Sequence, residues 1–219
     1  MVDSGQYFTI NRARQYGKTT TLQALGEFLK TEYKVVSLDF QMISHAEFES
    51  EQSFMSAFSR ELLETNVQIP KDIHEKLSEI EYGEAGTSLS ALFKCLTQWC
   101  GRERKGIVLI IDEVDSAGGC QVFLDFLAQL RGYYIKRRRT PTFQSVILAG
   151  VYDIKNLKRK FVADDEHKMN SPWNIAADFL IDMSFSEKDI SGMLSEYERD
   201  HNAGMDIQTV AGLIYDYTS

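Results

Sequence analysis

The sequence has little of what disulfide-stapled or turn-rich proteins are made from. Its three cysteines, Cys95, Cys100 and Cys120, form neither an even set nor a zinc-ligand spacing, which indicates free thiols in a reducing cytoplasm. With 3 prolines and 14 glycines in 219 residues, there is little material for linkers or for the many turns of a β-sandwich. These shortages argue against a disulfide-stapled secreted domain and against a turn-rich all-β fold.

Long apolar runs and an excess of basic residues are also missing. The longest uninterrupted apolar run covers residues 107–111, whereas a helix needs about 20 residues to cross a bilayer. No basic and then apolar leader precedes Tyr7, so we expect neither a secretory signal nor a membrane partner. The formal net charge of −8 argues against a general nucleic-acid coat, although a local basic patch can still bind phosphate.

Short apolar segments typical of β-strands alternate with segments of helical periodicity. We predict strands at residues 7–10, 35–38, 106–112, 145–149 and 179–185. The first helix is predicted over residues 19–29, with a buried face made of Leu22, Leu25, Phe28 and Leu29. This alternation predicts an α/β fold, in which a parallel sheet carries helices on both of its faces.

The pattern changes at residue 186. Beyond this position the apolar residues follow helical periodicity, without a further strand-like segment. We therefore predict a core over residues 1–185 and a small helical subdomain that starts over residues 186–219. Since the last helix reaches Ser219 without a terminating signal, we expect the protein to continue beyond it.

The segment after the first predicted strand has the residues that a polyphosphate-binding loop needs. A loop leaves the strand, and Gly17-Lys18-Thr19 then opens a helix, whose first N–H groups present partial positive charge to phosphate. Lys18 is predicted to reach the β- and γ-phosphate oxygens and the Thr19 hydroxyl to bind Mg²⁺. Gly17 permits the close backbone approach that a β-carbon would obstruct.

The loop departs from the usual pattern at one position. The pattern Gly-x-x-x-x-Gly-Lys-Thr/Ser has Arg12 in the place of its first glycine. Two interpretations stand: a variant nucleotide loop in which Arg12 or Arg14 assists phosphate binding, or a chance Gly-Lys-Thr at a helix start. The predicted nucleotide-binding residues are Arg14, Gln15, Tyr16, Gly17, Lys18, Thr19 and Thr20.

A second motif lies at the end of the apolar strand at 107–111, which continues into Asp112-Glu113. Carboxylates at the end of a buried strand carry a desolvation cost unless they meet a cation or water. In a nucleotide site, Asp112 would hold Mg²⁺ and Glu113 would polarise the water that attacks the γ-phosphate. The alternative is an acid pair that caps the following helix, a role that we assign to Asp115.

Three segments together resemble bacterial AAA-like ATPases: residues 8–22, 107–115 and 171–176. These are P-loop NTPases of the branch that has an additional strand between the lysine-bearing and the acid-bearing strands, close to the signal-transducing and archaeal-type ATPases. The resemblance implies a three-layer P-loop fold, with a parallel sheet of strand order 5-1-4-3-2 and a C-terminal helical lid. It also implies a downstream effector or winged-helix region beyond Ser219.

The resemblance further implies a polar residue at the end of the fourth strand that senses the γ-phosphate. Tyr152 and Asp153 are the candidates, although Asp153 would equally well cap the helix that starts at Ile154. Asn174 is a weaker candidate for a residue that faces the site. Because the sequence has no Asn-Lys-x-Asp segment of the guanine-reading kind, ATP is the expected nucleotide.

Positive charge is concentrated in one segment. Residues 131–160 contain nine Lys or Arg residues and one acid, Asp153, a net charge of +8 in a chain of −8. Such asymmetry indicates a surface that meets an anion, a neighbouring subunit or a nucleic acid. The alternative is a solvated basic turn that pairs with the acidic region between Glu47 and Glu84.

Three hypotheses about function follow. The first is a cytoplasmic, Mg²⁺-dependent ATPase module that works as a nucleotide-driven switch, with Lys18 and Glu113 in catalysis and Thr19 and Asp112 on the metal. The second is a nucleotide-binding scaffold that does not hydrolyse, in which Arg12 favours a bound nucleotide. The third is a nucleic-acid-associated ATPase that uses the basic segment. Besides the nucleotide, self-association or a partner protein is expected.

Overall fold

A computed structural model describes residues 1–11, 17–83, 88–151, 173, 175–179 and 184–218. It divides into two compact units, Met1–Phe179 and Leu180–Ser219. The first unit holds the sheet and the second is helical, which agrees with the change of pattern in the sequence. No helix among the described residues combines the length and the apolar character that a membrane span needs.

All strand pairs of the sheet are parallel. The strands are β1 (Phe8–Asn11), β2 (Lys34–Asp39), β3 (Ile107–Asp112), β4 (Ser145–Gly150) and β5 (Ala177–Asp178). Their order is β2-β3-β4-β1-β5, so the predicted order is confirmed. Because β4 lies between β1 and β3, the ends of β1 and β3 flank the end of β4, and Asp112 is the last residue of β3.

The last strand lies earlier in the sequence than the predicted segment 179–185. Ala177 and Asp178 pair with β1, and the Ala177 N–H donates to the Tyr7 carbonyl at 2.8 Å. Phe179 follows the strand and stacks on Phe8, with ring centroids 5.8 Å apart. Residues 180–183 lie outside the described residues. Hydrogen bonding to β1, rather than apolar character, thus sets the position of this strand.

Helices lie on both faces of the sheet. The first unit contains α1 (Lys18–Leu29), α2 (Glu51–Glu64), α3 (Lys71–Glu81), α4 (Leu89–Arg102) and α5 (Gln121–Lys136). Side chains of α2 to α5 share one core with Val36 and Leu38 of β2. Gly26 of α1 instead packs near Val35 of β2 and Ile110 of β3. Since successive strand residues point to opposite faces, α1 covers the other face.

Phenylalanine dominates the larger of the two layers. Buried rings from α2, α4, α5 and the segment after β2 lie with centroids 5.0–6.4 Å apart. We call this set the phenylalanine cluster: Phe40, Phe48, Phe54, Phe58, Phe93, Phe123 and Phe126. Tilted and edge-to-face rings at such distances are favourable beyond the area that they bury. The cluster therefore anchors these helices to the sheet.

The buried face of α1 differs from the predicted one at one residue. Leu22, Gly26 and Leu29 are buried and Leu25 is half-buried, whereas Phe28 is 74% exposed. At 100° per residue, Phe28 lies about 120° around the helix from Leu22. It therefore points away from the sheet, and the expectation for Phe28 was wrong.

The second unit consists of two helices, α6 (Glu187–His201) and α7 (Ile207–Thr218). Ser186 and Asp189 form a capping box at the start of α6, because each side chain accepts the backbone N–H of the other residue. Asn202 ends α6 in the left-handed conformation that asparagine tolerates. The predicted helical character of this region is confirmed.

Candidate functional site

The candidate site lies where the carboxyl ends of the parallel strands meet, the usual position of ligands in open α/β sheets. Gly17 precedes α1 with a φ of 66°, a left-handed backbone that favours glycine. Lys18 is the first residue of α1 and is only 6% exposed. The structure therefore places a buried cation at a helix N-terminus, where the backbone also carries partial positive charge.

Thr19 and Asp112, the two predicted metal ligands, are in direct contact. The Thr19 hydroxyl donates to Asp112 Oδ2 at 2.8 Å, which joins the first turn of α1 to the end of β3. Asp112 is 8% exposed, and its second oxygen, Oδ1, accepts the N–H of Glu113 at 2.8 Å. Residues 93 positions apart in the sequence thus meet at one carboxylate.

Glu113 follows Asp112 with an unusual backbone conformation. Its φ of 51° and ψ of 40° lie in the left-handed region, although the residue is not a glycine. Its carbonyl accepts the N–H of Ser116 at 3.0 Å, which starts a short 3₁₀ turn at Val114–Ala117. The acid pair is therefore followed by a tight turn, and α5 starts only at Gln121.

Asp115 is not the helix cap that the sequence suggested. Its carboxylate oxygen Oδ2 accepts the backbone N–H of Val151, the residue that follows β4. Gly150 makes this approach possible, because a β-carbon at position 150 would lie 2.8 Å from Asp115 Oδ2. The turn after β3 is thereby joined to the end of the neighbouring strand. No pattern in the sequence indicates this contact, because its donor is a backbone group 36 residues away.

A cavity of about 330 Å³ opens beside Thr19 and Asp112, between α1 and the strands β2 and β3. Asp39, the last residue of β2, lines this cavity and is the direct neighbour of Asp112 in the sheet. Its Oδ1 accepts the N–H of Gln41 at 2.9 Å. No role for Asp39 is predicted from the sequence. Two strands that both end in aspartate were the pattern that could have indicated it.

Several predicted site residues lie outside the described residues. They are Arg12, Arg14, Gln15 and Tyr16 of the loop, Tyr152 and Asp153 after β4, and Asn174. Thr20 lies in α1 and is exposed. The structure therefore brings Thr19, Asp112 and Glu113 together and places Lys18 beside Thr19 in the same helix turn.

None of the three cysteines lines the cavity beside Thr19 and Asp112. All three are free, and Cys95 is buried in the core. Burial raises the pKa of the Cys95 thiol to about 11 and that of Cys100 to about 12. Thiols with such pKa values stay protonated at neutral pH, so they are poor nucleophiles.

The basic turn, which we define as residues 136–139, lies at the opposite edge of the sheet. It ends α5, and the chain then enters β4 at Ser145. All four of its residues are exposed, and Arg137 also rests on the ring of Tyr134 at 3.8 Å. Lys155, Lys158, Arg159 and Lys160 of the basic segment lie outside the described residues.

The acidic region between Glu47 and Glu84 has other partners. Within the described residues, its ion pairs join Glu47 and Glu61 to Arg60, Glu75 to Lys71, and Asp72 to Arg102. The basic turn contributes to none of them. The interpretation of this turn as a partner of the acidic region is therefore not supported by the described contacts.

The sheet order, the Gly-Lys-Thr helix start and the acid pair at the end of β3 define a P-loop nucleotide-binding ATPase. A model of the AAA-like domain family matches residues 1–215, and the chain belongs to this family. Members of this class are nucleotide-binding ATPase modules. No curated protein sequence matches the chain.

The solved structures that are similar to the chain include two DNA complexes. The Aeropyrum pernix ORC1 protein in complex with DNA matches at 14% identity over 89% of this chain and 44% of that one, with a TM-score of 0.48. Drosophila ORC bound to DNA matches at 12% identity over 88% and 29%, with a TM-score of 0.49. The chain spans less than half of either. Such weak similarities add nothing to the fold described above.

Proposed function

We propose that this chain binds ATP together with Mg²⁺ through Lys18, Thr19 and Asp112, and hydrolyses it with Glu113 as the water-activating carboxylate. The observation that carries the proposal is the 2.8 Å hydrogen bond between Thr19 and Asp112. It joins the two side chains that a P-loop site uses for its metal, across two separate elements of the fold.

The burial of charge supports phosphate binding at this place. Lys18 and Asp112 are both more than nine-tenths buried, although charged side chains are costly to remove from water. The helix N-terminus adds partial positive charge next to Lys18. A polyphosphate would meet the ammonium group and the N–H groups of α1 together, which compensates their desolvation.

The donor set fits Mg²⁺ rather than a metal held by protein alone. In the described part of the chain, no three His, Cys, Asp or Glu side chains converge to hold a metal ion. Mg²⁺ is commonly bound by one or two protein oxygens, with phosphate oxygens and water in its other positions. The Thr19 hydroxyl and the Asp112 carboxylate supply oxygens of this kind. The bound ion would neutralise charge on the phosphate groups.

Glu113 has the chemistry of a general base. Its carboxylate would accept the proton of a water molecule whose oxygen bonds to the γ-phosphorus, while the bond to ADP breaks. A half-buried side chain on a tight turn is held in place more firmly than one on an open loop. We further propose that the nucleotide state acts as a switch on the helical unit of α6 and α7.

The experiment that tests the proposal combines calorimetry with a turnover assay. ATP, ADP and GTP are titrated with Mg²⁺ and with a chelator, and phosphate release is measured. Lys18→Ala should weaken ATP binding by at least about 100-fold, because it removes a buried charge partner. Glu113→Gln should keep binding and lower turnover by about 100- to 10,000-fold, the range of general-base catalysis.

Matched controls are available on α3. Lys71 and Glu75 have side chains that are 91% and 61% exposed, so Lys71→Ala and Glu75→Gln should behave as the unmodified chain. ATP binding that survives Lys18→Ala would contradict the site assignment. Binding without turnover in the unmodified chain would instead favour the scaffold that does not hydrolyse.

Nucleic-acid binding at the basic turn is a second candidate function. The exposure of Lys136, Arg138 and Arg139, which lie together without acidic partners among the described residues, favours it. If these cations contact phosphates, their replacement by Gln should weaken DNA binding and flatten its salt dependence by a slope of about 3. Arg137 is left in place because it rests on Tyr134.

A control with the same change in charge separates this effect from net charge. Lys71, Lys94 and Lys188 are exposed and lie on the other helices α3, α4 and α6, so their replacement by Gln should leave DNA binding closer to that of the unmodified chain. Equal losses in both triple variants would assign the interaction to net charge and remove the second candidate function.

A further inference from the structure

Glu113 has a positive φ, a backbone conformation that a glutamate side chain does not favour. Among the described residues, the non-glycine residues with positive φ are Glu113 and Asn202. Asn202 ends α6, and asparagine adopts this conformation more readily than other residues. Glutamate has no such preference. A left-handed glutamate persists only where surrounding contacts fix it, and such strain is concentrated at functional sites.

Four of the hydrogen bonds in the described part of the chain hold the turn that carries Glu113. Three are local: Glu113 N–H to Asp112 Oδ1 at 2.8 Å, Ser116 N–H to the Glu113 carbonyl at 3.0 Å, and Gly118 N–H to the Asp115 carbonyl at 2.9 Å. The fourth joins the turn to another strand, because the Asp115 carboxylate accepts the N–H of Val151. This last bond joins the turn directly to the end of β4.

The surroundings of this contact are shaped around the carboxylate. A β-carbon at position 150 would lie 2.8 Å from Asp115 Oδ2 and 3.0 Å from Val114 Cγ2, so glycine lets the end of β4 come close to the turn. Val151 is only partly exposed, and a backbone N–H in such a place needs an acceptor. An ionised carboxylate is the strongest acceptor that a side chain can offer.

We propose that Asp115 is a positioning residue, which holds Glu113 in its reactive orientation by fixing the turn after β3 to the end of β4. The assignment rests on the hydrolysis proposed above and deepens it. Since β4 is the direct neighbour of β3 in the sheet, its end offers a fixed attachment point for the turn that follows β3. A carboxylate that activates water must be placed to within a fraction of an ångström.

The first test removes the acceptor. Asp115→Ala should lower kcat by about 10- to 100-fold, the loss typical of a misplaced reactive group, while the Kd for ATP changes by less than about 2-fold. Asp115→Asn keeps an oxygen that accepts the Val151 N–H, so it should recover most of the lost turnover. Amide exchange at Val151, measured without nucleotide, should be faster in Asp115→Ala than in Asp115→Asn.

The second test leaves Asp115 intact and pushes it away. Gly150→Ala should displace the carboxylate and lower kcat as Asp115→Ala does, because the added methyl group takes its space. Gly132→Ala in α5 is the matched control, since a β-carbon there has no neighbour within 4 Å. It should leave turnover unchanged. Should Asp115→Ala unfold, Asp115→Asn and Gly150→Ala still provide the comparison.

A double-mutant cycle decides whether Asp115 acts through Glu113. In the Glu113→Gln background, Asp115→Ala should cause no further loss of turnover, because the group that it positions is already absent. A full additional loss would show an independent role and overturn the assignment. So would an unchanged kcat in Asp115→Ala and Gly150→Ala, or a Kd for ATP that rises in step with the loss of kcat.

The outcomes also separate this inference from the proposed function. If the unmodified chain hydrolyses ATP and Asp115→Ala hydrolyses it equally fast, only the role of Asp115 is lost. If the unmodified chain binds ATP without turnover, hydrolysis and the role of Asp115 are both contradicted. In that case nucleotide binding through Lys18 remains, because it is measured by calorimetry alone.

Discussion

The phenylalanine cluster and the carboxyl edge of the sheet differ in what they bury. The carboxyl edge is the place where the parallel strands end, and it includes Lys18, Asp112 and Glu113. The cluster buries rings that contact one another on one face of the sheet. The carboxyl edge buries Lys18 and Asp112 and holds Glu113 in a left-handed backbone. Apolar burial stabilises a fold, whereas buried charge and backbone strain destabilise it unless a ligand or a function compensates.

Because of this difference, we expect substitutions in the two regions to affect different properties of the protein. A substitution in the cluster should lower stability and affect nucleotide binding only through unfolding. A substitution at the carboxyl edge should change binding or turnover, and its effect on stability can have either sign. Such a trade-off between stability and activity is common at functional sites.

The largest change is expected for Phe126→Ala in the cluster. The Phe126 ring lies 5.0 Å from that of Phe58 and 5.4 Å from those of Phe54 and Phe93. Truncating a fully buried phenylalanine typically costs about 3–5 kcal/mol, because the cavity does not collapse. Denaturant unfolding measures the loss. At a temperature where the variant is folded, its Kd for ATP should equal that of the unmodified chain.

A smaller loss in the free energy of unfolding is expected for Thr19→Val at the carboxyl edge. Unlike Phe126→Ala, it should also change nucleotide binding. Valine keeps the shape and the branched β-carbon but removes the hydroxyl that Asp112 Oδ2 accepts. Oδ2 of the buried carboxylate then loses this hydrogen bond while Oδ1 keeps the N–H of Glu113, at a cost of about 1–3 kcal/mol. The Mg²⁺-dependent part of ATP affinity should fall in calorimetry as well.

Thr20→Val is the control for this prediction, because Thr20 is the neighbouring residue on α1 and is exposed. It should change neither stability nor the dependence on Mg²⁺. If Thr19→Val lowers stability but leaves the dependence on Mg²⁺ intact, the hydroxyl serves the fold alone, and the proposed metal site is contradicted.

A change of opposite sign is expected for Glu113→Gly. Glycine adopts the left-handed conformation without strain, so the free energy of unfolding should rise by about 1 kcal/mol while turnover is lost. Glu113→Ala removes the same carboxylate but keeps the strain, so it should lose turnover without the gain. Chemical unfolding of both variants, side by side, isolates the backbone contribution. Equal free energies of unfolding in the two variants would contradict the proposed backbone strain at Glu113.

The sequence predicted the architecture where local patterns decide it. The apolar run at 107–111 and the Gly-Lys-Thr helix start marked β3 and α1, and the rule that parallel strands end at one edge placed Asp112 near Thr19. The strand order came from the resemblance to AAA-like ATPases and is confirmed. These features depend on residue types at fixed spacings.

Other features depend on partners that no spacing reveals. Asp115 was assigned to a helix cap, whereas its partner is the backbone of Val151 after another strand. The last strand was placed by apolar character, but its pairing with β1 starts at Ala177. A contact to a backbone group across the sheet cannot be predicted from residue types, because nearly every residue has the same backbone groups. For this reason the contact of Asp115 with Val151 was missed, whereas the proximity of Thr19 and Asp112 was predicted.

The smallest change is expected for Phe28→Ser, on the same helix as the site. Phe28 was predicted in the buried face of α1, yet it is 74% exposed and points away from the sheet. An exposed side chain without core contacts contributes within about 0.5 kcal/mol, so unfolding and ATP binding should both stay unchanged. Leu22→Ser, on the buried face of the same helix, is the matched control and should destabilise strongly. A large loss of stability in Phe28→Ser would mean that another apolar surface covers Phe28 in solution. The exposed face of α1 would then also contribute to stability, as the buried helices on the other face of the sheet do.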